Sequence, residues 1–176
     1  MRFSALLAAL LVLLPAAAQA NSTESIGTDV AVALPLLAGT YAASKSDWTG
    51  VAELTVDTVA TIGTVYALKS VVKVQRPDKS DFKSFPSDTA ALAFAPAQFL
   101  WDRYGWEVGL PAYLAAGFVG YSRVDAKKHH WTDVAASAGI AFAFSKIFTS
   151  EYRNPKFNYG VVATPHSAYA SLSYRF

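Results

Sequence analysis

The chain contains no cysteine among its 176 residues. Disulfide bridges and thiolate metal sites are therefore excluded, while the redox compartment stays open. Histidine is scarce too, with three copies. His129 and His130 are neighbours and His166 lies in a stretch of different texture, so they form a poor metal-ligand set, and no metal or other cofactor is expected. Charge is thin: 16% of residues are charged, and the formal net charge is +2. That surplus is too small to mark a nucleic-acid-binding chain. No internal repeat or low-complexity linker is present. Beyond the N-terminal stretch, the apolar runs at 30–44, 89–101 and 133–145 fall short of the ~20 residues of a membrane span. Their lengths predict buried core helices in a secreted domain, with membrane association as the open alternative.

What is abundant is apolar. Hydrophobic residues make up 53% of the chain, enough for one domain with a sizeable core. Residues 1–20 have the form of a secretory signal peptide: Arg2, an apolar stretch from Ala5 to Leu14, then Ala18-Gln19-Ala20 as a cleavage site. Cleavage would start the mature chain at Asn21 and take it out of the cytoplasm. An uncleaved anchor is the other reading.

The fold class expected is mainly α, a bundle of about five helices over residues 21–150. Asp29 is placed to cap a helix from Val30 to about Ser44. A second is expected from about Val51 to Val74, stopped by Pro77, with acidic residues early and basic ones late. Ser87 or Asp88 caps a third, from about Thr89 to Tyr104, and Pro96 predicts a kink in it. A fourth covers about Trp106 to Gly120, and a fifth about His130 to Thr149, with Ser122–Lys128 as a loop between them. Residues 151–176 form a C-terminal extension. Tyr159–Ala163 and the alternating Ala168–Phe176 predict a short β-hairpin packed on the helices. A last strand ending in Phe176 also resembles the terminal signal of outer-membrane barrel proteins, but the strands are far too few to close a barrel.

Three stretches carry candidate chemistry. In Ser122–Asp133, a helix beginning near His129 would stack Asp133 on the same face through i,i+4 spacing. The carboxylate would then fix the imidazole tautomer and leave the other nitrogen nucleophilic. Arg123 offers a planar fork of donors suited to phosphate oxygens. Lys69 and Arg76 stand seven residues apart, two helical turns, which predicts one shared face. Ser84-Phe85-Pro86-Ser87-Asp88-Thr89 forms a turn that opens the third helix.

In order and spacing these stretches resemble the three motifs of the type 2 phosphatidic acid phosphatase (PAP2) family, which includes bacterial acid phosphatases and vanadium haloperoxidases. Lys69–Pro77 matches its KxxxxxxRP motif, and Ser122–Asp133 matches SRxxxxxHxxxD. Of the second motif, PSGH, Pro86 and Ser87 match, while Asp88 and Thr89 stand in place of Gly and His. The resemblance implies an extracytoplasmic, metal-independent phosphatase acting on a phosphomonoester or diphosphate. The apolar composition points to a phosphorylated lipid. Lys69, Arg76, Ser87 and Arg123 would bind phosphate; His129 would be the nucleophile, forming a phosphohistidine, and Asp133 its orienter. The family's second-motif histidine protonates the leaving oxygen. Asp88 is either its replacement as general acid or a helix cap. The alternative function is a weakly active or inactive relative that binds phosphate or lipid headgroups. A haloperoxidase with vanadate in the same site is a third reading. The oligomeric state is left open.

Overall fold

The computed structural model describes residues 23–152, 157–164 and 167–174. The expected signal peptide, residues 165–166 between the strands and the terminal Phe176 lie outside them. Five helices run through the described residues: α1 (Thr23–Ser44), α2 (Trp48–Val71), α3 (Asp88–Tyr104), α4 (Trp106–Asp125) and α5 (Trp131–Phe148). Two strands follow, β1 (Phe157–Thr164) and β2 (Ser167–Tyr174), paired antiparallel with Phe157 opposite Tyr174. The mainly α expectation is met.

The central element is α3, which packs against each of the other four helices. Its sequence explains why. Ala90, Ala91, Ala93, Ala95 and Ala97 are all fully buried. Small side chains on several faces let neighbouring backbones approach closely from more than one side. Phe99 and Leu100 fill the space beyond the alanines and join a core with Leu34, Leu54, Ala116 and Val119. Local signals set the ends. Asp47 caps α2 by accepting from Gly50 N–H, and Ser87 caps α3 by accepting from Ala90 N–H. Gly105, at φ 88°, turns α3 directly into α4, a conformation that suits glycine.

Several boundaries differ from expectation, each for a local reason. Helix α1 starts at Thr23 rather than Val30, so Asp29 lies inside it and caps nothing. Helix α2 stops at Val71, where Val72 turns extended. Lys69 and Arg76 therefore share no helical face. Residues 74–84 instead close a loop, with Arg76 N–H on Asp81 O and Ser84 N–H on Val74 O. Helix α4 runs on to Asp125, placing Ser122 and Arg123 on a helix instead of in a loop. Helix α5 starts after His129, so the i,i+4 helical stacking of His129 and Asp133 does not occur. Among the described residues the hairpin pairs strand with strand and with no helix, contrary to the expected packing.

The short apolar runs also understated helix length. Helices α1 and α2 are long and apolar enough to cross a membrane, and 33% and 22% of their apolar windows are buried within the protein. Thr, Ser and Gly break the runs in sequence but not the helices.

Candidate active site

All three motif stretches meet at one end of the bundle. Helix α2 ends there with Lys69, α3 begins there with Asp88, α4 ends there with Arg123, and α5 begins there just after His129. The turn between α4 and α5 is folded back on itself: Lys128 and His129 N–H both point at Arg123 O, at 3.0 and 3.2 Å. That closure puts His129 beside Arg123. The 74–84 loop is tied to the same turn. Asp78 N–H donates to Lys127 O at 3.0 Å, Arg76 Nη1 donates to Lys128 O at 3.3 Å, and Lys128 Nζ pairs with Asp78 Oδ2 at 2.8 Å.

The result is a polar cleft of about 310 Å³ lined by Arg76, Asp88, Arg123, Lys128 and His129, together with Glu24, Ser80, Asp81 and Thr89. Two larger clefts, of about 450 and 470 Å³, lie at the other end of the bundle around Arg103 and Tyr152, away from the motif residues.

His129 is 2% exposed, so its ring is held and not merely placed. Its Nδ1 sits 2.6 Å from Ser84 O. A carbonyl oxygen only accepts, so Nδ1 carries the proton and Nε2 keeps its lone pair. Nε2 lies on the Asp88 side, 3.8 Å from Asp88 Oδ1. Burial holds the imidazole below its ordinary pKa. The Ser84 carbonyl and the Asp88 charge oppose this, while Lys69 and Arg76 reinforce it. The ring is therefore neutral at neutral pH.

Asp133 does not hold the His129 ring directly. Its Oδ2 lies 3.7 Å from His129 Nδ1 and accepts instead from Ser84 Oγ at 2.5 Å and His130 N–H at 2.8 Å. The orienting contact thus comes from the Ser84 backbone, and Asp133 fixes Ser84 in turn. Ser84 lay within the second-motif stretch, but nothing in its spacing marked the carbonyl as an acceptor.

Lys69 is buried behind Asp88. Its Nζ donates to Asp88 Oδ1 at 3.2 Å and to Lys83 O at 2.9 Å. Burial alone would raise the Asp88 carboxyl, but the charge and hydrogen bond of Lys69 outweigh it and hold Asp88 below the usual carboxylate range. Ser87, expected to bind phosphate, is fully buried. Its hydroxyl accepts from Ala90 N–H, and its carbonyl accepts from Ser137 Oγ. Lys69 and Ser87 therefore sit behind the cleft, while Arg76, Arg123, Asp88 and His129 line it. Lys128 and Glu24, also at the cleft, belong to no motif position.

A model of the PAP2 superfamily matches residues 50–156, more than half of the chain. The chain belongs to the PAP2 superfamily. The chain is also similar to a lipid A 4′-phosphatase of Helicobacter pylori (strain J99), with 35% identity over 141 residues, covering 74% of this chain and 71% of that protein. No solved structure matches it. Within the PAP2 match lie the residues that build the cleft, except Glu24, which comes from α1.

Proposed function

We propose that this PAP2 phosphatase hydrolyses a phosphorylated lipid through a phosphohistidine on His129, without a metal. The observation that carries the proposal is the Nδ1–Ser84 O hydrogen bond, which leaves Nε2 as a neutral nucleophile beside the cations of the cleft. In the first step Nε2 attacks phosphorus and the bond to the leaving oxygen breaks. In the second, water attacks phosphorus, the P–N bond breaks, and inorganic phosphate leaves. Charge on the phosphoryl oxygens grows during transfer, and Arg76, Arg123 and Lys128 supply the compensation that a metal supplies elsewhere. Asp88, held ionised by Lys69, serves as a counter-ion and not as the proton donor. The leaving oxygen then departs with little protonation.

A lipid substrate fits three features. An apolar groove lined by Val32, Ile62, Tyr66 and Leu92 shares Asp88 and Thr89 with its wall, so it adjoins the catalytic cleft. Helices α1 and α2 keep large apolar side chains on their outer faces, among them Leu36, Val59 and Tyr66. Exposed Trp48 and Trp106 mark one end of the bundle, and Tyr66, Tyr121 and Trp131 the other. Trp48 and Tyr66 stand about 27 Å apart along α2, close to the thickness of a bilayer's hydrocarbon core. Similarity to a lipid A 4′-phosphatase supports the same substrate class. On this reading the protein is membrane-associated, with the cleft at the extracytoplasmic interface.

The test is phosphate release by detergent-purified protein from a panel of lipid phosphates and from p-nitrophenyl phosphate, with and without chelator. Release from lipid phosphates that survives chelation is expected. Binding of the lipids without turnover would favour the inactive, headgroup-binding relative instead.

A further inference from the structure

Each cation contributed to the site by the first and third motifs faces a carboxylate, and the three pairs differ. Lys69 hydrogen-bonds Asp88 at 3.2 Å, and Arg76 Nε donates to Asp81 at 2.8 Å. Asp81 is further held by Lys83 N–H at 2.8 Å. Arg123 Nη1 faces Glu24 Oε1 across 3.6 Å, an ion pair without a hydrogen bond, and the Glu24 side chain is 41% exposed. It is the most loosely held of these three carboxylates, and it comes from outside the motifs.

The contact is built by close packing. Gly27, one turn along α1, lies so near α4 that a Cβ there would overlap the Ser122 hydroxyl. The first turn of α1 therefore rests on Ser122 and Arg123. Arg123 donates through Nη2 to the Glu24 backbone carbonyl and through Nε to Ser122 Oγ. Nη1, facing the Glu24 carboxylate, and the second N–H of Nη2 are what remain for a phosphoryl oxygen. The backbone of Glu24 thus positions Arg123, and its side chain sits where an anion would bind.

We propose that the Glu24 carboxylate is a built-in competitor of the substrate phosphate. In the empty cleft it neutralises Arg123, and a phosphoryl group binds there only by displacing it. The proposal rests on reading the cleft as the phosphate site. Its consequence is weaker binding of every phosphate anion, substrate and product alike, so the enzyme gives up ground-state affinity and releases inorganic phosphate readily.

The two roles of Glu24 separate by substitution, because Glu24→Gln keeps the backbone carbonyl and removes the charge. Calorimetric binding of inorganic phosphate is measured for the full-length wild type, Glu24→Gln, Glu24→Asp and Arg123→Ala, with circular dichroism as the check on folding. Glu24→Gln is expected to bind phosphate more tightly, by up to about fivefold, the range for releasing a partly exposed charge pair. The KM for p-nitrophenyl phosphate should fall in parallel. Glu24→Asp withdraws the charge by one methylene and should move the same way, by less. Unchanged or weaker binding in folded Glu24→Gln overturns the proposal, because the carboxylate is then inert or itself holds Arg123. Should Glu24→Gln not fold, unchanged or weaker binding in Glu24→Asp does the same. Arg123→Ala tests the underlying reading separately. If it binds phosphate as well as wild type, the cleft is not the phosphate site; if it loses binding while Glu24→Gln gains none, the Glu24 proposal alone fails. No binding by any variant overturns both.

Discussion

The two ends of the helical bundle use the same residue types for opposite purposes. At the end away from the cleft, Arg103 is buried with each of its three nitrogens engaged. It donates to Asp47 through Nε and Nη2 at 2.5 and 2.6 Å, and to Glu53 and Ser150 O through Nη1 at 2.7 and 2.8 Å. Tyr104 O–H adds a bond to Asp47 at 2.6 Å. This cluster joins the α1–α2 turn, the end of α3 and the segment after α5. At the cleft end, Arg123 reaches its carboxylate partner only across 3.6 Å, and Arg76 keeps its side chain partly open to the cleft. An arginine with all three nitrogens held clamps the fold, whereas one with a nitrogen to spare can receive a ligand.

The largest effects should separate the two ends cleanly. His129→Ala is expected to lower phosphatase activity at least about a thousandfold while the melting curve stays near wild type, because a nucleophile is lost and no buried charge is orphaned. Residual activity near wild type in a folded protein would remove His129 from the mechanism. Arg103→Leu should do the reverse. It leaves Asp47 buried without its partner and should cost about 3–5 kcal/mol of stability, read from chemical denaturation, while the folded fraction keeps its turnover. Burial opposes ionisation of Asp47, but Arg103, Tyr104 and Gly50 N–H together bring its pKa down to about 2. Its contribution is therefore complete above the ordinary carboxylate pKa and fades as pH falls towards 2. Wild-type stability should drop through that window, and in Arg103→Leu the drop should shrink. An unchanged drop would mean other groups dominate acid unfolding.

The same contrast shows what was legible in the sequence. Spacing and motif order located Arg76, Arg123 and His129, and the structure brings them to one cleft. They were found because their stretches lie at helix ends that local signals mark: Ser87 as a cap, the Ser122–Asp133 string, and Pro77 after the end of α2. The geometry that joins them was misread. Lys69 comes from the end of α2 and Arg76 from a closed loop, not from one helix face, since hydrogen bonds within residues 74–84 outcompete helix extension. Ser84 orients His129 through a backbone carbonyl, and a backbone group leaves no trace in residue identity. Glu24 lies 99 residues from Arg123, and only the packing of α1 on α4 joins them. The Arg103 clamp was invisible for the same reason: Asp47, Arg103 and Ser150 share no local period.

A smaller effect tests how the cleft tunes its nucleophile. Lys69→Met removes a positive charge that disfavours the His129 imidazolium and leaves the opposing Asp88 charge unneutralised. Both changes raise the His129 pKa. On the proposed mechanism activity requires neutral His129, so the acid limb of kcat/KM should move to higher pH. A limb that stays put, or moves lower, would show that the limb reports another group.

The smallest expected change is at Asp88, and it decides how the leaving group departs. A general acid must hold its proton near the working pH, and Lys69 keeps Asp88 ionised instead. Without a donor, an alkoxide leaves slowly because it is strongly basic, whereas a nitrophenolate or a phosphate leaves with little help. Wild-type enzyme should therefore hydrolyse aryl phosphates and diphosphates much faster than simple alkyl phosphates. Asp88→Asn should leave that ratio within about twofold, since no proton donor is lost. It should also shift the acid limb slightly to lower pH, opposite to Lys69→Met, because the Asp88 charge raises the His129 pKa. If Asp88→Asn instead slowed alkyl phosphates selectively and removed the alkaline limb, Asp88 would be the donor, and its pairing with Lys69 would have to break in the substrate complex. Equal wild-type rates on alkyl and aryl phosphates, unmoved by Asp88→Asn, would mean that a third group delivers the proton, and Glu24 and Asp81, the other carboxylates lining the cleft, would be the next substitutions to make.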